Sequence, residues 1–155
     1  MDDSSFEIGK LVSIVVNERK IRVLIIDDHP GMREGINAVV NAQPDMVIVG
    51  QAGDGREAIQ QFRDLRPDVS LLDWNLPVVR GEEVLSTLRE EVPTARFVVI
   101  SALNDERCIR RALSLGAQCY LHKDMLRREL LPAIRAVHDG QRYIPEAIAK
   151  ILNPR

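Results

Sequence analysis

Four short apolar runs in this chain each end on polar residues that can do chemistry. Ile21–Ile26 leads into Asp27-Asp28, and Val69–Leu72 leads into Asp73. Phe97–Ile100 leads into Ser101-Ala102, and Cys119–Leu121 is followed by His122-Lys123. If the runs lie side by side, three carboxylates, one hydroxyl and one ammonium share a rim. Two carboxylates ~4 Å apart repel by about 4 kcal/mol at an effective dielectric of ~20. One lysine cannot neutralise three of them, so a hard divalent ion is expected. Oxygen donors of this kind suit Mg²⁺, which keeps waters and takes one or two carboxylates. A carboxylate beside such an ion can attack phosphorus and form an aspartyl-phosphate. The ion and the lysine would offset charge on the equatorial oxygens, and the serine hydroxyl can donate to the same group. No single feature is specific. Asp-Asp after a strand is often a turn or helix cap, and Asp73 before Trp74-Asn75-Leu76-Pro77 reads equally as a loop residue. Joint placement at four run ends is the signal.

That placement needs particular elements. From residue 21 a pattern repeats five times: an apolar run, a turn, then a helical stretch. The runs are Ile21–Ile26, Met46–Val49, Val69–Leu72, Phe97–Ile100 and Cys119–Leu121. They do not alternate, as expected of parallel strands buried on both faces. Between them, groups such as Ala58, Ile59, Phe62 and Leu65 fall on one helical face. Asp54 and Asp105 suit N-caps, and Gly116 and Gly140 suit helix ends. The expected fold is α/β: a doubly wound five-stranded parallel sheet with helices on both faces. Its active rim lies at the carboxyl ends of the strands. Pro132 lies inside the fifth helical pattern, which predicts either a late start near Glu129 or a kink. A short final helix is expected from Pro145 to Leu152. The organisation is then an N-terminal extension over 1–20, a main domain over 21–140, and a C-terminal helix or linker start over 141–155. The extension is rich in apolar residues, and helix and strand are both open there.

Composition excludes several classes. A length of 155 residues, 45% hydrophobic and 28% charged, suits one packed domain rather than a disordered chain. Aromatics at 4% leave few platforms for stacking bases, and a net charge of -2 argues against nucleic-acid binding by this segment alone. Cys108 and Cys119 match no zinc or CxxC spacing and read as reduced thiols. The acidic MDDSSFE start lacks a signal peptide's basic region, and no apolar run is long enough to span a bilayer. A soluble cytoplasmic protein with no membrane partner is expected.

The stretches VLIIDDHPGMREGI, DVSLLDWNLPVVRGEEVL, FVVISAL and GAQCYLHKD together make the chain resemble a CheY-like receiver domain, of flavodoxin-like fold, over residues 21–140. The resemblance implies a phosphorylation-dependent switch rather than a metabolic enzyme. It makes Asp73 the phosphoacceptor and Asp28 and Asp73 ligands to Mg²⁺, with the Asn75 backbone carbonyl as a further ligand and Asp27 assisting through water. Ser101, the Ala102 backbone amide and Lys123 would bind the phosphoryl oxygens. Ser101 and Tyr120 stand at the family's switch positions; without the motif, Tyr120 reads equally as a half-buried packing aromatic. Asp-Asp-His-Pro with Arg33-Glu34-Gly35, and the closing run AIRAVHDGQRYIPEAIAKIL, resemble the NarL/FixJ-type regulators. That group implies a sensor histidine kinase as donor and a homodimer when phosphorylated. It also implies transcription control through a C-terminal LuxR-type helix-turn-helix domain. Residues 141–155 encode no such domain, so a segment of a longer regulator and a single-domain regulator both remain open. Asp124 replaces the proline often found after the lysine, and a cis Lys123–Asp124 bond would cost about 3–4 kcal/mol. Trp74 either hinders or shapes access to Asp73. Two rival readings are a phosphohydrolase with an Asp nucleophile and a receiver-like module that is never phosphorylated. Asn75 stands where the former would need a general acid, and the complete acidic set argues against the latter.

Overall fold

In the computed structural model, residues 19–154 are described. The repeat becomes β1 (Ile21–Ile26), α1 (Pro30–Asn41), β2 (Met46–Ala52), α2 (Gly55–Leu65), β3 (Val69–Asp73) and α3 (Gly81–Glu91). It continues through β4 (Phe97–Ser101), α4 (Glu106–Ser114), β5 (Cys119–His122), a 3-10 turn (Lys123–Met125), α5 (Leu126–His138) and α6 (Glu146–Leu152). All strand pairs are parallel, in the order β2-β1-β3-β4-β5. This is the doubly wound order of flavodoxin-like folds, and the chain changes winding direction between β1 and β3. The expected extension over residues 1–20 falls almost wholly outside the described residues.

Burial on both faces explains the unbroken apolar runs. Leu24, Ile26, Leu72, Phe97 and Val99 point to the layer of α2, α3 and α4. Their neighbours Val23, Ile25, Leu71, Val98 and Ile100 point to the layer of α1 and α5. A side chain on either parity is therefore taken out of water, at roughly 25 cal/mol per Å² of apolar area. Phe62 of α2 stacks on Phe97 of β4 at a centroid distance of 5.9 Å, which pins one layer to the sheet. Ile148 of α6 is fully buried against the α4 layer.

The caps form as read. Asp54 accepts from Glu57 N at 2.8 Å while the Glu57 carboxylate returns to Gly53 N, a reciprocal pair at the start of α2. Asp105 accepts from Arg107 N at 2.7 Å at the start of α4. Gly116 at φ +104 and Gly140 at φ +83 take the left-handed turn after their helices.

Several boundaries differ from the sequence reading. β2 runs on to Ala52, through Gly50 and Gln51, because an edge strand with a register shift beside Val23/Leu24 tolerates polar residues. The strands carrying Asp73 and Ser101 include those residues. Of the late start or kink expected for the fifth helix, the late start does not occur. α5 begins at Leu126, directly after the 3-10 turn, and carries Pro132 inside it. The Arg128 carbonyl therefore has no amide of residue 132 to accept from. The buried face of Leu130, Ala133, Ile134 and Val137 outweighs that loss. Among the described residues, no helix is long and apolar enough to cross a membrane.

Candidate functional site

The carboxyl ends of β1, β3, β4 and β5 bring the predicted residues together. Asp27, Asp73 and Ser101 are 3%, 2% and 1% exposed, so two carboxylates and a hydroxyl sit almost sealed from solvent. Asp28 is half-buried beside them. Lys123, at the start of the 3-10 turn, reaches in over the top. Its Nζ lies 3.5 Å from Asp27 Oδ2 and 3.5 Å from Asp73 Oδ2. The ammonium is thus shared between two acids and held closely by neither. Burial, with the neighbouring Asp27 charge adding to it, pushes the Asp73 carboxyl up to about 6 against the pull of the Asn75 amide and Lys123.

The charge balance leaves room for a cation. Side-chain donors of Asp27, Asp28, His29 and Asp73 come within 4.8 Å of one another. Asp28 Oδ1 is shielded from solvent and accepts no hydrogen bond; the His29 ring nitrogen is 3.1 Å away but not in hydrogen-bonding geometry. A buried carboxylate oxygen without a donor is costly unless something positive completes it. Three carboxylates against one lysine, with an orphaned oxygen among them, fit a divalent ion.

Neighbouring loops hold these groups in place. The Asn75 amide donates to Asp73 Oδ1 at 3.0 Å, and the His29 amide donates to Asp27 Oδ1 at 2.8 Å. Arg33 of α1 reaches back to donate to the Asp27 carbonyl at 2.7 Å. Gly81, at the start of α3, passes so near the acceptor strand that a Cβ there would lie 2.6 Å from the Asp73 carbonyl oxygen. Trp74 is buried in the α2–α3 layer, on the parity of Leu72 and opposite to Asp73. Its ring therefore does not stand over the carboxylate.

The β4–α4 loop is tied at one residue. Leu103 N donates to Ser101 Oγ at 3.1 Å, and Tyr120 OH donates to the Leu103 carbonyl at 2.7 Å. Tyr120 is fully buried, and that burial pushes its hydroxyl above the usual tyrosine range. Ala102, between these anchors, is exposed. His122 braces it from β5. Asp124 N donates to His122 Nδ1 at 3.1 Å, which leaves Nε2 as the donor to the Ala102 carbonyl at 2.9 Å. The Lys123–Asp124 peptide is trans, as are all peptides among the described residues.

Of the eight site residues expected from the sequence, Asp27, Asp28, Asp73, Asn75, Ser101, Ala102 and Lys123 meet at this rim, and Tyr120 lies buried beside it with its hydroxyl on the Leu103 carbonyl. His29, Arg33 and His122 stand in the same sequence stretches without an expected role at the site. The first two adjoin the Asp-Asp pair and follow it by one helical turn, which was the available signal.

A parallel sheet with an acid-lined, lysine-topped pocket at its switch point is the arrangement of a receiver-type signalling module. Residues 23–135 match the response regulator receiver domain model, and the chain belongs to that family. Its relatives are NarL-family regulators. It is 38% identical over 136 residues to the nitrate/nitrite response regulator protein NarL of Escherichia coli, covering 88% of this chain and 63% of that protein. Among solved structures it is similar to a LuxR-family two-component response regulator from Aurantimonas. The TM-score there is 0.83 and the identity 29%, covering 87% of this chain and 96% of that one. It is similar as well to the response regulator domain of Thermotoga maritima CheB, with TM-score 0.74 and 33% identity over 78% of this chain and 98% of that one. The chain thus spans less than two thirds of the NarL protein's length.

Proposed function

We propose that this receiver domain accepts a phosphoryl group on Asp73 from the phosphohistidine of a sensor histidine kinase. The observation that carries the reading is Lys123, whose ammonium sits 3.5 Å from both Asp27 and Asp73. A cation shared between the acceptor and its acidic neighbour is placed to pair with a phosphoryl oxygen once the acceptor is loaded. In the transfer, an Asp73 carboxylate oxygen bonds to phosphorus and the P–N bond to histidine breaks. The electron pair returns to the imidazole ring, which takes up a proton. Reversal of the switch is hydrolysis. A water oxygen bonds to phosphorus, the P–O bond to Asp73 breaks, and carboxylate and inorganic phosphate remain.

Asp28, Asp73 and the Asn75 carbonyl would hold Mg²⁺, with Asp27 acting through water. When bound, the ion supplies positive charge to the carboxylates and phosphoryl oxygens. The Ser101 hydroxyl, the Ala102 amide and Lys123 form the rest of the cradle. The new group adds about -1.5 to -2 charge. Ser101 then exchanges its contact with Leu103 N for the phosphoryl group. Tyr120, which holds the Leu103 carbonyl, repacks with the loop. The face of α4, β5 and α5 changes accordingly, promoting a homodimer. Residues 21–140 would form the receiver unit, with 141–155 leading toward a LuxR-type helix-turn-helix domain outside this chain. DNA binding and transcription control would lie there, in the cytoplasm.

Incubation with acetyl phosphate and Mg²⁺, read by intact mass, tests the site. Wild type gains one phosphoryl group, and the gain disappears in Asp73→Asn and when Mg²⁺ is chelated. Labelling of Asp73→Asn at the wild-type rate would sink the assignment. An unlabelled wild type would favour an interaction module that does not use phosphorylation.

A further inference from the structure

The acidic pocket contains one donor that phosphoacceptor chemistry does not need. His29 is the N-cap residue of α1, yet its side chain makes no capping hydrogen bond. The ring turns toward the carboxylates instead. Its Nδ1 is hydrogen-bonded to Asp27 Oδ1 at 3.1 Å and lies 3.1 Å from Asp28 Oδ1 without hydrogen-bonding geometry. The Asp28 separation is the spacing of neighbouring donors around a single ion. Two ligand atoms at bonds of about 2.1 Å, set at a right angle, lie roughly 3.0 Å apart. The ring is also pre-placed. The His29 amide is fixed on Asp27 Oδ1 at 2.8 Å, and Arg33 fixes the Asp27 carbonyl at 2.7 Å. The Asp28 oxygen facing the ring is the one left without a hydrogen-bond donor.

We propose that His29 Nδ1 is a ligand in this pocket for borderline transition ions, so that the site binds ions such as Ni²⁺ more tightly than Mg²⁺. The proposal rests on the reading that the pocket holds a divalent cation. Imidazole nitrogen suits Ni, Cu, Zn and Fe, whereas Mg²⁺ prefers carboxylate, carbonyl and water oxygens. Mg²⁺ also keeps several of its waters, so a water can stand in the position of the ring. The ring ligates as the neutral tautomer with its proton on Nε2. At 65% side-chain exposure the ring can keep Nε2 in water. An all-oxygen pocket would rank the two ions by the carboxylates alone. A pocket with His29 separates them through one side chain.

The chain has a single tryptophan, Trp74, next to Asp73 in sequence, which offers one optical probe beside calorimetry. The metal-free protein is titrated with MgCl₂ and separately with NiCl₂, with calorimetry alongside, for wild type, His29→Ala and His29→Gln. His29 is exposed and caps nothing through its side chain, so both variants are expected to fold. The expected result is a loss of tenfold or more in Ni²⁺ affinity for His29→Ala, with Mg²⁺ affinity changed less than twofold. His29→Gln, which keeps a hydrogen-bonding side chain, does not restore Ni²⁺ binding. Mg²⁺ in excess displaces Ni²⁺ in a competition titration followed by calorimetry, which places both ions in one pocket. Nitrogen hyperfine coupling in the electron paramagnetic resonance spectrum of Cu²⁺-loaded wild type is lost in His29→Ala. Equal losses for Mg²⁺ and Ni²⁺, an unchanged Ni²⁺ affinity, rescue by Gln, or Ni²⁺ that excess Mg²⁺ does not displace would each overturn the His29 ligand. A wild type that binds no Mg²⁺ would instead overturn the reading beneath it.

Discussion

At the amino ends of the strands, charge is spent on local closure. Arg135 of α5 grips Asp45, just before β2, through two contacts of 2.9 and 3.1 Å. Asp68, just before β3, accepts the Arg22 amide at 2.9 Å, and the Arg22 guanidinium caps the Arg66 carbonyl at 2.8 Å. Gln118, before β5, accepts from Phe97 N at 2.8 Å. At the carboxyl ends the arrangement is reversed. Carboxylates are gathered, buried and left short of partners, with one lysine 3.5 Å from each of two of them. The same sheet therefore carries a rim that stabilises it and a rim that costs it stability. Where a fold holds buried like charges together against the rule that such groups are paired, the site of its chemistry is the first place to look.

Asp73→Asn should break this contrast most strongly. In the metal-free protein the Asp73 carboxyl is pushed from 3.8 to about 6, mainly by burial. A rise of roughly two units corresponds to about 3 kcal/mol of destabilisation at neutral pH, as an upper figure. Asparagine keeps an oxygen for the Asn75 amide and removes the charge. The variant should therefore unfold at higher denaturant concentration than wild type without metal, by about 1–3 kcal/mol. The pH dependence has a definite sign. The folded state binds the Asp73 proton more tightly than the unfolded state, so this contribution to stability is full below pH ~4 and is lost as pH rises through ~6. Comparing wild type with Asp73→Asn across that window isolates it. A variant less stable than wild type at pH 7 without metal would show that the acidic rim is not strained as described.

A smaller effect is expected where the rim meets the β4–α4 loop. Tyr120→Phe removes the donor to the Leu103 carbonyl and leaves the buried ring in place. The loss should be about 1 kcal/mol, since Leu103 is exposed enough for water to replace the hydroxyl. Amide exchange at Leu103, which donates to Ser101, should quicken more than exchange at core amides of β4. Equal acceleration in both places would mean that Tyr120 holds the sheet rather than the loop.

How far these two rims were legible in the sequence follows from what burial writes into it. Central strands buried on both faces leave unbroken apolar runs, so Ile21–Ile26 and Phe97–Ser101 could be read almost to the residue, and so could the acids that end such runs. The edge strand β2 carries Gly50 and Gln51 because one side is less buried, and the reading stopped three residues early. Pro132 left a late start and a kinked helix both open, and the helix runs through it because tertiary burial of Leu130, Ala133 and Ile134 overrides a local helix breaker. Trp74 had its answer in strand parity, since residues 72 and 74 share a face and 73 takes the other. The orientations of His29, Arg33 and His122 were not legible. Residue type says what these side chains can donate or accept, and only the packed loops decide toward what.

The mildest prediction concerns the amino rim and carries the opposite pH sign. The Arg135 hydrogen bonds hold the Asp45 carboxyl below the usual carboxylate range. Its stabilisation is present above pH ~4, the unfolded range, and is lost as pH falls through the lowered folded value. Both side chains are more than a third exposed, so solvent screens the pair and Asp45→Asn should cost roughly 0.2–1 kcal/mol at pH 7, and less in high salt. The backbone carbonyl of Asp45, which accepts from Ile21 N at 2.8 Å, is untouched by the substitution, so the sheet edge should hold. Equilibrium unfolding of Asp45→Asn at pH 7 and again near pH 3 checks it. The difference from wild type should shrink at the lower pH, where Asp73→Asn should likewise lose its advantage. If Asp45→Asn instead costs several kcal/mol, the amino rim is a buried ion pair in energetic terms, and the distinction between a closing rim and a strained one would have to rest on the acidic pocket alone.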